Sequence, residues 1–147
     1  MTRSQTLSRR DRGAAALELA LVVPVLGLLL GLVVGGARIW FARASVEQLA
    51  GSAARAATVA PSAGLAVSSA RGLIADQLAG SGVRCATVTV EVDTSAFSMA
   101  PGTTGRVTVQ VRCAVPLADL LVPGWPGTLD VSATGQSVLD PYRRRTP

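Results

Sequence analysis

The feature that most constrains this chain is an apolar stretch near its N-terminus, residues 14–37, in which Glu18 is the one charged residue. About 24 residues rising 1.5 Å each give a helix of roughly 36 Å, long enough to cross the hydrocarbon core of a bilayer. A cleaved secretory signal is the alternative, but its apolar core has about 7–15 residues and a small-x-small cleavage site behind it. The stretch therefore predicts a transmembrane helix.

Arginines on both sides of this stretch predict its orientation. Four precede it: Arg3, Arg9, Arg10 and Arg12. Two follow it closely, Arg38 and Arg43. Because the more basic flank stays in the cytoplasm, we expect a single-pass protein of the cell membrane with a cytoplasmic N-terminus and an extracytoplasmic C-terminal part. Residues 1–13, which are polar and lack apolar periodicity, are predicted to be an unstructured cytoplasmic leader.

A helical pattern continues beyond the membrane segment, over residues 38–61. The apolar positions at near-helical spacing are Ile39, Val46, Leu49, Ala53, Ala56 and Ala57. Charged residues lie between them, and Pro61 ends the helix because proline disfavours helical geometry in the residue before it. Trp40 and Phe41 lie just past the apolar run, and two interpretations stay open: insertion at the lipid headgroups, or packing against the following domain.

The remaining chain predicts a small α+β head over residues 62–139. Ser62 can cap a second helix over residues 63–79, which the Gly-Ser-Gly sequence at 80–82 would end. Valines then alternate with polar residues, as in half-buried strands. These valines are Val88, Val90 and Val92 in one strand and Val107, Val109 and Val111 in the next.

The loop over residues 94–105 is predicted to join these strands as a hairpin, and residues 129–138 offer a third strand. The predicted fold class is therefore α+β. It consists of a long N-terminal transmembrane helix that continues into an extracytoplasmic helix, a second helix, and a small antiparallel sheet of about three strands. Residues 140–147 are predicted to be a basic tail.

The two cysteines, Cys85 and Cys113, lie in the part predicted to be outside the cytoplasm, where a disulfide is permitted. Pairing Val92 with Val107 would place Cys113 beside Ala86, which misses Cys85 by one residue. A terminal bulge could bring the two sulfur atoms together. The bond would then stabilise the head by about 3–4 kcal/mol in the chain-entropy model.

Composition argues against catalysis and nucleic-acid binding. The chain has no histidine or lysine, its acids are scattered without a nucleophile–base pattern, and its cysteine spacing fits no zinc site. Arginines are dispersed and aromatic residues make up 3% of the chain, too few for base stacking. We therefore predict no enzyme activity, no cofactor or metal, no nucleic-acid partner and no small-molecule substrate.

The most informative motif runs from Arg12 to Leu19, a basic leader ending in Gly13 and followed by a carboxylate, Glu18, inside an otherwise apolar helix. It resembles the processing site of Flp-type pilins and TadE-like pseudopilins. The resemblance implies that a membrane prepilin peptidase cuts between Gly13 and Ala14 and leaves Glu18 as the fifth mature residue. The chain departs from the family pattern at Leu19, where an aromatic residue is common.

Glu18 has two interpretations. A carboxylate in hydrocarbon is costly unless it is paired or protonated, and in pilin-like assemblies the implied partner is the new N-terminal amine of a neighbouring subunit. Alternatively, Glu18 lies only about 6 Å along the axis from Ala14 and simply reaches water at the headgroups.

Three glycines, Gly27, Gly31 and Gly35, follow one another at four-residue steps on the apolar segment. Such a stripe lets a partner helix approach closely, although chance is a serious rival in a glycine-rich chain. Pro24 predicts a bend in the same segment, because it removes one helical hydrogen bond.

Taken over residues 12–60, the resemblance implies a non-catalytic TadE-like pseudopilin, a membrane-anchored component for assembly of Flp-type (Tad) pili that serve adherence or secretion. The implied partners are the lipid bilayer, prepilin peptidase, other pilin or pseudopilin subunits and the Tad assembly machinery. Major Flp pilins lack such a head, which favours an accessory role. The alternative is an uncleaved single-pass anchor that displays a small extracytoplasmic interaction module.

Overall fold

The computed structural model describes the backbone of residues 4–100, 102–120 and 126–142, and the side chains of residues 16–100, 102–118 and 126–142. The chain forms two compact units, Met1–Ala37 and Arg38–Pro147. Its elements, in chain order, are α1 Ser4–Val59, α2 Ala63–Ser81, β1 Thr87–Asp93, a 3-10 turn Ser95–Ser98, β2 Gly105–Pro116, α3 Leu117–Leu120 and β3 Thr128–Leu139. The predicted α+β class, with a long apolar helix, a second helix and a three-stranded antiparallel sheet, is confirmed.

In the first unit, α1 presents its apolar side chains outward: every described side chain from residue 16 to residue 34 is exposed. Among the described residues, one helical stretch, Ala16–Val59, contains a window of mean hydropathy 2.6, none of it buried, and is long and apolar enough to cross a membrane. A soluble core helix of that hydropathy would be buried, so the exposure supports membrane anchoring.

The unstructured leader predicted over residues 1–13 is wrong from Ser4 onward, because α1 begins there. Extending an existing helix needs one hydrogen bond per added residue and no new nucleus. Arginine, which occurs three times in residues 4–13, is also a good helix former. Polarity therefore does not prevent residues 4–13 from joining the helix.

The helix α1 contributes mostly small apolar side chains, all from one face, to the core of the second unit. Val46, Ala50, Ala53 and Ala57 are fully buried. They follow the i, i+4, i+7, i+11 spacing that places residues on one helical face. Because most of these side chains are alanines, α1 can lie unusually close to the sheet it covers.

The helix α2 confirms the predicted second helix and extends it by two residues. The Oγ of Ser62 accepts a hydrogen bond from the backbone N–H of Leu65 (3.4 Å), and Gly82 ends the helix in the left-handed region, with φ 71°. Its buried face is Ala66, Ala70 and Ile74, again at four-residue spacing. Gly82 is needed here because a side chain disfavours that backbone conformation.

The sheet has the order β1-β2-β3, and both pairs are antiparallel. The buried positions of β2 alternate along the strand: Gly105, Val107, Val109, Val111, Cys113 and Val115. The residues between them are exposed or half-buried, so one face of the central strand packs on the core and the other faces solvent. The predicted alternation is confirmed.

The register between β1 and β2 differs from the predicted one by two residues. Val92 lies opposite Val109, not Val107, and Val90 lies opposite Val111. A shift of two keeps every side chain on its predicted face, since side chains alternate with a period of two. Alternation alone therefore could not detect the error.

The two-residue shift in register comes from the loop that joins β1 and β2. After β1, the 3-10 turn Ser95–Ser98 packs against the start of β2, where a Cβ on Gly105 would lie 2.6 Å from the Cβ of Ala96. Residues 105–107 consequently pair with β3 but not with β1. Buried Phe97 anchors the turn in the core.

Candidate functional site

The predicted processing site lies in the first unit. The backbone of Gly13 and Ala14 is part of α1, while the surroundings of Ala14 and of every side chain before residue 16 lie outside the described residues. Cleavage between the two residues stays a prediction, as does its dependence on a peptidase.

Glu18 is exposed on the surface of α1, one turn beyond the predicted cleavage site. Its neighbours Leu17 and Leu19 are also exposed, at 67% and 66%. Within the part of the chain that the structure describes, no hydrogen bond or ion pair engages its carboxylate. An outward carboxylate surrounded by leucines can pair with a cation from another molecule or extend to water at the headgroups, so both predicted roles keep their geometric basis.

Of the three glycines at four-residue steps, Gly27 and Gly31 face open space within the chain, whereas Gly35 is buried. A Cβ added at Gly27 or Gly31 would meet no heavy atom within 4 Å. These two glycines are therefore not required for packing inside one molecule. The interpretation that they admit a partner helix, together with Gly35, stays a prediction, as does the rival interpretation of chance. Pro24 lies inside α1, as its position in the sequence implied.

In the second unit, a disulfide joins Cys85 to Cys113, whose Cα atoms are 5.4 Å apart. The predicted placement of Cys113 beside Ala86 is wrong, because Cys113 lies opposite Val88. Cys85 lies before β1 and precedes a bend at Ala86, whose N–H donates to the carbonyl of Ala114 (2.7 Å). The bend positions Cys85, so the connection is made ahead of the strand and not through a bulge at its end.

Trp40 and Phe41 are not part of the buried core of the second unit. They are 66% and 64% exposed, and their rings form an edge-to-face pair with centroids 5.4 Å apart. Of the two interpretations open at the sequence level, this exposure favours insertion at the lipid headgroups. An exposed aromatic pair that directly follows an apolar helix is typical of the boundary between membrane and water.

A small cavity beside Phe41 was not predicted from the sequence. Arg38 and Phe41 on α1 line it together with Val83 and Arg84 from the α2–β1 connection. These two groups of residues are more than 40 positions apart in the chain, so no local pattern relates them. Their proximity follows from the packing of α1, α2 and β2 around a common core.

Acidic side chains of the described region form no metal site: no group of three or more His, Cys, Asp or Glu is placed to hold an ion there. Asp93 has a structural contact instead. Its Oδ1 accepts a hydrogen bond from the backbone N–H of Ser95 (2.9 Å), which holds the pKa of that carboxyl below its usual range. The contact fixes the turn that follows β1.

Comparison with known proteins identifies one family and no individual relative. Residues 13–55 match the family described as TadE-like protein, so the resemblance predicted from the motif around Gly13 is confirmed over that segment. The match begins at Gly13, includes Glu18 and the whole apolar stretch, and ends within α1. No curated protein and no solved structure matches the chain.

Proposed function

Starting from the match of residues 13–55 to TadE-like proteins, we propose that this chain is a pseudopilin, a non-catalytic membrane-anchored component for assembly of Flp-type (Tad) pili in adherence or secretion. The observation that carries the proposal is the coincidence of that match with an exposed apolar helix bearing Glu18. The head, residues 62–139, is then presented on the extracytoplasmic side, and the N-terminus is cytoplasmic.

The first step of the proposed route is removal of residues 1–13 by a prepilin peptidase. Hydrolysis of the Gly13–Ala14 peptide bond leaves a carboxylate on the leader and a free amine on Ala14. That amine is the group that Glu18 of a neighbouring subunit would attract. Mass analysis of the protein extracted from a strain with active peptidase should give Ala14 as the first residue; a start at Met1 or Thr2 contradicts the step.

Glu18 is the proposed assembly residue. In hydrocarbon, an unpaired carboxylate costs several kcal/mol, whereas a pair about 4 Å apart gains on the order of 4 kcal/mol at an effective dielectric constant of 20. Pairing with a neighbour's amine therefore draws two helices together and also removes the cost of the isolated charge. A glutamate that reached headgroup water would gain nothing from a neighbour.

The test is Glu18→Gln, which keeps the side chain's shape and removes its charge. Because the chain has no lysine, a photo-crosslinking amino acid at Leu21 is a better probe of neighbours than an amine-reactive reagent. We expect processed Glu18→Gln protein to insert in the membrane but to lose crosslinks to other subunits and to lose piliation. Glu47→Gln, which neutralises an exposed acid of the second unit, is the matched control and should behave as wild type.

Wild-type crosslinking and piliation by processed Glu18→Gln protein would overturn the role of Glu18. If the leader also stays attached, the competing proposal is favoured: an uncleaved anchor that displays an interaction module. The exposed polar face of the sheet supports that alternative, since it offers a surface that the core does not need.

A further inference from the structure

The second unit contains a cavity of about 240 Å³ between the start of its α1 segment and the α2–β1 connection. Two arginines, Arg38 and Arg84, are among the residues that line it, and both are exposed. The walls are apolar: Phe41 and Ala42 on one side, Val83 on the other. Among the residues that the structure describes, no acidic side chain lines it.

The position of this cavity along the chain is as informative as its composition. Arg38 is the first residue after the apolar segment, and Phe41 lies about 4.5 Å further along the helix axis. The exposed aromatic pair of Trp40 and Phe41 lies at the same level, where aromatic rings prefer the headgroup region. Arg84 is brought to this level by the packing of the second unit, not by its place in the sequence.

We propose that this cavity, the Arg38/Arg84 cavity, binds the phosphate of a phospholipid headgroup. Guanidinium groups donate paired hydrogen bonds to phosphate oxygens, and the apolar walls fit the glycerol and upper acyl carbons that accompany a lipid phosphate. Bound in this way, the lipid attaches the α2–β1 connection to the membrane surface. The proposal depends on membrane anchoring and is independent of pilus assembly.

A second arginine-lined cavity in the same unit serves as a comparison for the Arg38/Arg84 cavity. Arg112 lines a cavity of about 330 Å³ on the outer face of the sheet, together with Asp130. The carboxylate there opposes an incoming anion, and within the described part of the chain no aromatic residue lines this cavity. Arg112 is therefore a matched control, an exposed arginine in a cavity that should not select lipid phosphate.

The experiment uses the full chain in a neutral maltoside detergent, with bound lipid counted by native mass spectrometry during titration with phosphatidylglycerol. A basic residue near an anionic membrane surface contributes about 1 kcal/mol, which corresponds to about a fivefold change in affinity. We expect Arg38→Gln and Arg84→Gln each to weaken binding about fivefold, the double variant about 25-fold, and Arg112→Gln less than twofold.

Phosphatidylcholine and inorganic phosphate serve as the other probes. Weaker retention of phosphatidylcholine, with no displacement of phosphatidylglycerol by millimolar phosphate, supports a lipid site. Displacement by free phosphate would assign the cavity to a soluble anion and overturn the proposal. So would equal binding by the double variant and wild type, or an Arg112→Gln loss as large as that of Arg84→Gln. Because both arginines are exposed, we expect the variants to remain folded, and an unchanged circular dichroism spectrum and Tm check this.

Discussion

Gly135 of β3 provides a sharp test of how closely α1 approaches the sheet. A Cβ built on Gly135 would overlap the backbone carbonyl of Ala50, both its carbon and its oxygen, and would lie 2.6 Å from the backbone N of Gly51. All three atoms belong to the helix backbone, so no side-chain rotation relieves the overlap. Gly135→Ala can be accommodated only if α1 and β3 move apart.

The magnitude follows from the nature of that contact. Overpacking typically costs about 1–3 kcal/mol, and a collision with backbone lies at the upper end of that range. The φ of Gly135 is not positive, so alanine is allowed by the local backbone and the loss arises from the contact alone. In a unit of this size, about 3 kcal/mol lowers Tm by roughly 12 °C.

A matched substitution lies directly across the same interface. A Cβ at Gly51 would have its nearest neighbour, the guanidinium of Arg55, at 4.0 Å. Gly51→Ala should therefore stabilise α1 by about 0.5–1 kcal/mol and raise Tm by a few degrees. Secondary-structure propensity alone would predict that both substitutions stabilise the protein, because glycine weakens strand interiors as well as helix interiors.

The assay is thermal unfolding of the full chain in neutral detergent, followed by circular dichroism. Opposite shifts for Gly135→Ala and Gly51→Ala are the expected result. A Gly135→Ala protein with a Tm within about 2 °C of wild type would refute the reasoning, because it would mean that α1 can retreat from the sheet at little cost.

Three further predictions concern the second unit. Replacing both cysteines, Cys85→Ala with Cys113→Ala, should lower the free energy of unfolding by about 3–4 kcal/mol, and equal stability of this variant and the oxidised wild type would contradict it. Ile74→Ala should lower the free energy of unfolding by about 2–5 kcal/mol in denaturant titration, since Ile74 is 2% exposed. A loss below about 1 kcal/mol would contradict this and show that neighbouring side chains fill the space that Ile74 leaves. The lowered pKa of Asp93 means that its contact with Ser95 stabilises the fold above the ordinary carboxyl pKa and is lost on acidification. The stability difference between wild type and Asp93→Asn should therefore shrink below about pH 4, and a constant difference would argue against the contact.

Local patterns sufficed to predict the two long helices and the three strands, but not the 3-10 turn or α3. Ser62 and the Gly-Ser-Gly sequence at 80–82 marked both ends of α2 because caps act within a few residues. The alternating valines of β2 identified its buried face, because alternation is also a pattern within a few residues. The apolar segment of α1 was evident from composition alone, whereas its extension back to Ser4 depended on helix propagation that polarity does not reveal.

The errors arise where the structure depends on distant residues. The β1–β2 register is shifted by two because Ala96 packs on Gly105, a contact between a loop and a strand that alternation cannot detect. The position of Cys85 follows from the bend at Ala86, which no turn-forming residue in the sequence predicted. In the candidate site, Gly13 and Glu18 were recognisable from their spacing, but Arg84 became associated with Arg38 only through tertiary packing.

The two faces of β3 differ in the freedom they leave to sequence change. The buried side of its middle segment consists of Val131, Ala133 and Gly135, the last of them pressed against the backbone of α1. The opposite side is exposed at Ser132, Thr134 and Gln136, where substitutions disturb no core contact. A lineage could therefore alter the charge and shape of this outer surface repeatedly while the helix–sheet spacing stayed constant. Diversity among related heads should therefore accumulate on that side.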